Sequence, residues 1–211
     1  MRFVWQILFS FLSALLFFIS WPPNSLPVFI FIAFVPLLWL VFKFNNGKSN
    51  HSSWFLFASF LLVFFTLNFA LTSWVMNAHW GGGLFASCFN AFLMSVVFIL
   101  VYKIKKWKGQ RHALIAFPIL WLAFEYLHLN WDLTWSWLTL GNVFSETTWM
   151  IQWYEFTGVL GGSLWVLLVN TILYYALSKF ISKTSFISRA ALRNSSKAEG
   201  SVLSKVTLND T

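Results

Sequence analysis

Most residues able to do chemistry fall between Phe124 and Gly162, which reads FEYLHLNWDLTWSWLTLGNVFSETTWMIQWYEFTGVLGG. Glu125, Asp132, Glu146 and Glu155 lie here, with Trp131, Trp135, Trp137, Trp149 and Trp153. No Lys or Arg occurs between Arg111 and Lys179, so these carboxylates have no basic partner nearby in sequence. Glu125 sits near the end of an apolar run, where an ionisable group is costly and by default marks a function. The plainer alternative is an interfacial carboxyl bonded to a neighbouring amide. His128 follows at i+3 on the same helical face, so the pair could share a hydrogen bond or a proton. Asp132 reads equally as a cap and as a substrate-facing acid. Trp135, Trp137 and Asn142 read as an interfacial or re-entrant segment, or simply as an aromatic belt. Glu155 precedes TGVLGGS, whose Gly158, Gly161 and Gly162 permit close helix approach. The candidate lipid- or substrate-binding set is therefore Glu125, His128, Asp132, Trp135, Trp137, Asn142 and Glu155.

Other chemistries find no support. Cys88 is the single cysteine and lies in an apolar run, which removes an intramolecular disulfide and leaves too few ligands for a metal. The serines lack a G-x-S-x-G elbow, and no nucleophile has a base in helical register. No catalytic residue, metal or cofactor is expected from the sequence. His79 and Trp80 beside Gly81–Gly83 form a second polar patch of low specificity, on what reads as a flexible or tight turn.

These residues need elements to position them, and composition defines the class. The chain is 59% hydrophobic and 9% charged, with mean hydropathy +0.71, too little charge to cover a soluble domain. The net charge of +8 sits in clusters at helix ends, which points to lipid and away from nucleic acid. We expect an all-α polytopic membrane protein with about six spans: residues 3–20, 26–42, 54–76, 84–102, 113–127 and 159–177, the fifth being the weakest because it carries Glu125 and His128 near its end. Arg2, Lys43, Lys48, the Lys103–Arg111 group, Lys179 and Lys183 fall on alternate connections. The positive-inside rule then places both termini in the cytoplasm and residues 129–157 in an outer interfacial loop. The first span follows a basic start but lacks a small-residue cleavage site, so it reads as retained. Pro22 and Pro23 stop it, while Pro36 and Pro118 lie within spans as expected kinks. The domain reading is a membrane unit over 1–181 and a polar, disordered cytoplasmic tail over 182–211.

Taken in order, WPP after the first span, LTSWVMNAHWGGG, FPILWLAFEYLHLNWDLTWSWLTLGN and YEFTGVLGGSLWVLLVN carry a resemblance. From about Trp21 to Leu177 the chain resembles the N-terminal membrane half of apolipoprotein N-acyltransferase, in its Bacteroidetes-like form. The resemblance implies acyl transfer from a phospholipid to the N-terminal diacylglyceryl cysteine of a lipoprotein, in the bacterial inner membrane. It also implies a thioester intermediate on a nitrilase-like domain with a Glu-Lys-Cys triad, flanked by a seventh and an eighth helix. None of the 211 residues matches that triad, so none is carried over as catalytic. Glu125, Trp137 and Gly141 do match the family's membrane motif. The Arg-Gly that commonly follows that Glu is His128-Leu129 here, so no phosphate contact from that Arg is implied. The expectation is a truncated membrane domain, inactive alone. The alternatives are a lipid- or lipoprotein-binding scaffold, half of a split enzyme with a separate nitrilase-like partner, and a small proton-coupled transporter.

Overall fold

The protein is described by a computed structural model covering residues 2–22, 24, 26–44 and 51–209. Pro23 and Lys48, invoked above as a helix stop and a cytoplasmic cation, lie outside the described residues, as do the side chains of Arg2 and Lys43. Every regular element among the described residues is helical. These are α1 (Arg2–Ser20), α2 (Ile30–Ala33), α3 (Val35–Trp39), α4 (His51–Thr72), α5 (Trp80–Lys108), α6 (Gln110–Leu129) and α7 (Tyr154–Asn209). Four segments are long and apolar enough to cross a bilayer: Ser53–Asn77, Trp80–Lys108, Gln110–Leu129 and Tyr154–Thr184. Val4–Ser20 and Pro27–Phe42 are shorter apolar helices. The chain is a polytopic membrane protein, and the six apolar segments fall where the hydropathy pattern predicts them.

The second segment is broken, and its neighbour shows why. In a continuous helix the Phe34 amide would donate to the Ile30 carbonyl. Instead the Asn170 side chain inserts into that rung. Its Oδ1 accepts from Phe34 N at 2.9 Å, and its Nδ2 donates to Ile30 O at 2.8 Å. Pro36, with no amide to offer, follows at once, and the chain ends the segment in a π-helical turn over Leu40–Phe44. A neighbouring polar side chain satisfies the freed groups, as a bilayer demands. Pro118, by contrast, lies inside α6, which continues through it.

The triple glycine is a correction to the sequence reading. Gly81–Gly83 belongs to the first turn of α5, not to a loose turn. His79 is the N-cap, its Nδ1 accepting from Gly82 N at 2.9 Å, so the polar patch expected there is a helix start.

Residues Met1–Leu173 and Tyr174–Thr211 form two compact units, with the division inside α7. In the first, α4 packs on α5, α5 on α6, and α1 on α4 and on the broken pair α2–α3. Its core is a buried aromatic cluster. Phe34 meets Phe17, Trp121, Phe117 and Phe98 at 4.7, 4.8, 5.3 and 5.9 Å between ring centroids. Each such pair contributes about 0.5–1.5 kcal/mol beyond its buried area. Along α1, Val4, Trp5, Leu8, Phe11 and Leu15 stay exposed, an apolar face suited to lipid. In the second unit the backbone is helical over 182–209. Ala190, Ala191, Leu192, Arg193 and Ala198 are good helix formers there, a preference that the abundant Ser and Asn mask in a composition count. Residues 210 and 211 lie outside the described residues.

Candidate functional site

The stretch linking α6 to α7 is built of short 3-10 turns, Ser136–Leu138, Leu140–Phe144 and Thr148–Met150. Such turns leave backbone donors unpaired, and the neighbouring helices supply the acceptors. Glu125, buried in the last turns of α6, is the principal one. Its Oε1 accepts from the Leu140 amide at 2.9 Å and from the Trp121 indole Nε1 at 2.9 Å. Ser163 on α7 accepts from the Gly141 amide at 3.0 Å. Tyr154 Oη donates to the Gly141 carbonyl at 3.0 Å. Leu140 and Gly141 are thus held from both helices by groups meeting a single peptide segment. A Cβ on Gly141 would stand 2.2 Å from the Val159 carbonyl oxygen, so only glycine lets the strap lie this close to α7. Gly158, at φ +65°, breaks the helical backbone of α7 with a kink.

Through Trp121 the clasp reaches the aromatic core. One ring donates to Glu125 and packs edge-on against Phe34, so loop placement and helix packing share a side chain.

His128 joins a different network. Its Nε2 lies 2.8 Å from Asn90 Oδ1 on α5. Asn90 Nδ2 in turn donates to Asn68 Oδ1 on α4 at 2.7 Å, and Asn68 Nδ2 donates to Phe64 O at 2.7 Å. The Asn90 amide nitrogen is committed to Asn68, so its oxygen faces the imidazole. Nε2 must therefore carry the proton. The ring is flanked by Phe124 and Trp131, at 5.1 and 5.2 Å between centroids. Glu125 and His128, three residues apart, share no partner.

The remaining expected residues spread over the segment. Asn142 braces it internally, donating from Nδ2 to Ser136 O at 2.9 Å. Trp137 packs edge-on against Trp74 at 5.0 Å and keeps half its surface exposed. Trp135 is half-buried, and Asp132 and Glu155 are exposed. The structure does not join Asp132 or Glu155 to the Glu125 clasp. Sequence reasoning missed Trp121, Asn68, Asn90, Tyr154, Ser163 and Asn170. For Asn68, Asn90 and Asn170 the signal was present, a lone amide within an apolar span. No group of three or more His, Cys, Asp or Glu able to hold a metal occurs among the described residues.

A helical membrane bundle with an aromatic core and a strapped, Trp-rich interhelical segment defines the class: a multi-pass membrane domain with one organised end. The comparisons give the family. The family model for the apolipoprotein N-acyltransferase N-terminal domain matches residues 13–172, and the chain belongs to that family. It is 35% identical over 179 residues to an apolipoprotein N-acyltransferase of Chlorobaculum tepidum, covering 83% of this chain and 32% of that one. A Geobacter metallireducens protein of the same name is 24% identical over 183 residues, covering 83% of this chain and 34% of its own. The chain spans about a third of the length of the curated relatives it matches. No solved structure matches.

Proposed function

We propose that the chain supplies the membrane half of an N-acyltransferase, holding phospholipid and diacylglyceryl lipoprotein at its Trp-rich rim for a nitrilase-like catalytic domain. The observation that carries this reading is the clasp at Leu140–Gly141. A mere aromatic belt needs no fixed backbone, whereas a docking platform does. The exposed Trp137, Trp149 and Phe156 place large apolar surface on and beside that platform. Cations on alternate connections support both termini in the cytoplasm, the platform on the outer face and a bacterial inner-membrane location. The transporter reading loses its proposed relay, because Glu125 and His128 bond to different partners and the His128 chain ends at the Phe64 carbonyl, beside the aromatic core.

The test is co-expression, in cells depleted of apolipoprotein N-acyltransferase, with the part of the Chlorobaculum tepidum protein that this chain does not match. Mass spectrometry of lipoprotein N-termini should show N-acylation with both pieces and none with either alone. N-acylation by the partner piece alone, or none with both pieces expressed and membrane-bound, would overturn the proposal.

A further inference from the structure

Around Gly109, where α5 passes directly into α6, residues 103–111 hold Lys103, Lys105, Lys106, Lys108 and Arg111. Lys105 turns inward, and its Nζ donates to the Val41 and Phe42 carbonyls. The other four are exposed. The helices packed together here, α4, α5 and α6, offer one carboxylate, Glu125. It lies about 21 Å further along α6 than Arg111 at 1.5 Å per residue, more than two screening lengths of about 8 Å. The counter-charge for the corner must come from outside these helices.

The face that carries the cations identifies its source. Leu100, Lys103 and Trp107 are spaced i, i+3, i+7 on one face of α5, and all three are exposed. Trp107 is 77% exposed, and Lys108 Nζ lies 4.1 Å from its ring centroid. An indole so placed belongs at headgroup depth. Its flanking cations then meet the phosphates, and Leu100, about 10 Å deeper, meets acyl chains. A free phosphate or a nucleic acid leaves Leu100 unused. A phospholipid matches all three.

We infer that this face binds an anionic phospholipid of the leaflet at the Lys-rich end. The phosphodiester lies between Lys103 and Lys108 at the Trp107 ring, and an acyl chain follows Leu100 into the bilayer. A zwitterionic lipid gains less there, because its own ammonium brings a like charge to the cations. The Leu140–Gly141 clasp lies at the opposite end of α6, so this lipid is not the one to be consumed by acyl transfer. The inference stands apart from the proposed function.

Native mass spectrometry of the whole chain in mixed micelles tests the site, with phosphatidylglycerol and phosphatidylcholine of identical acyl chains. Phosphatidylglycerol should be retained over phosphatidylcholine by roughly thirty-fold, the worth of two cations at an anionic membrane surface. The preference should shrink as salt rises. Lys103→Gln with Lys108→Gln should remove most of it, whereas Lys103→Arg with Lys108→Arg should keep it. As a check that leaves the charges in place, brominated phosphatidylglycerol should quench the fluorescence that Trp107→Phe removes. Brominated phosphatidylcholine at the same mole fraction should quench it less. Equal retention of the two lipids, a preference that survives the Gln pair or is lost with the Arg pair, or equal quenching of Trp107 would overturn the site. Displacement of phosphatidylglycerol by inorganic phosphate at matched ionic strength would also overturn it, marking a free-anion site. So would binding of a short RNA, in phosphatidylcholine nanodiscs, that the Gln pair abolishes.

Discussion

The two ends of the helical bundle solve one problem with opposite chemistry. At the Lys-rich end, the π-helical turn at Leu40–Phe44 strands carbonyls, and a cation meets them. Lys105 Nζ donates to Val41 O at 2.9 Å and to Phe42 O at 3.1 Å. At the Trp-rich end, the 3-10 strap strands amides, and a carboxyl meets them through Glu125. The signs match what each end of a helical segment presents, carbonyls at one and amides at the other. Their surroundings differ more. Lys105 is half-buried, and near it Lys108 Nζ lies 4.1 Å from the Trp107 ring centroid and Lys106 Nζ 5.1 Å from that of Tyr102, an arrangement suited to a wet, anionic headgroup layer. Glu125 is buried against Trp121 and the strap, with no basic residue near it in sequence. A cap in water is replaceable, and a cap in a dry site is not.

The comparison predicts its own order of effects. Glu125→Leu strands the Leu140 amide and the Trp121 indole, and should cost about 2–6 kcal/mol, at about 1–3 for each unpaired buried donor. Thermal unfolding in detergent should show it, together with new protease cleavage between residues 130 and 153. Glu125→Gln keeps an acceptor and should recover most of that loss. Equal damage from Gln and Leu would mean that the charge matters, not the bond. Gly141→Ala drives a methyl into the Val159 carbonyl and should cost about 1–3 kcal/mol. The same cleavage should appear, because the strap must lift. Lys105→Met should cost only about 1 kcal/mol, since water and lipid headgroups replace a partly exposed donor. A loss equal to that of Glu125→Leu would erase the contrast between the ends. Asn90→Leu breaks two bonds, to Asn68 and to His128, and should cost about as much as Lys105→Met, at about 0.6 kcal/mol for each side-chain hydrogen bond between membrane helices. Its distinct mark is a mixture of His128 tautomers in 15N spectra.

The positions of the apolar segments and the alternation of cations along the chain are legible in the sequence, because hydropathy and charge act residue by residue. Glu125 and Gly141 stand out for the same reason, as a carboxyl in an apolar run and a glycine in an otherwise bulky strap. Their relationship does not. Glu125 pairs with a backbone amide fifteen residues on, and backbone groups carry no sequence signature. Asn170 splits the second segment from 136 residues away, so that break is decided by α7 and not by Pro36 alone. His128 and Glu125 look like a couple at i+3, yet one turns toward α5 and the other toward the strap. Solvent preference set which residues enter the membrane and which gather at its rim. The directionality of hydrogen bonds, satisfied only once four helices had converged, decided which of them meet.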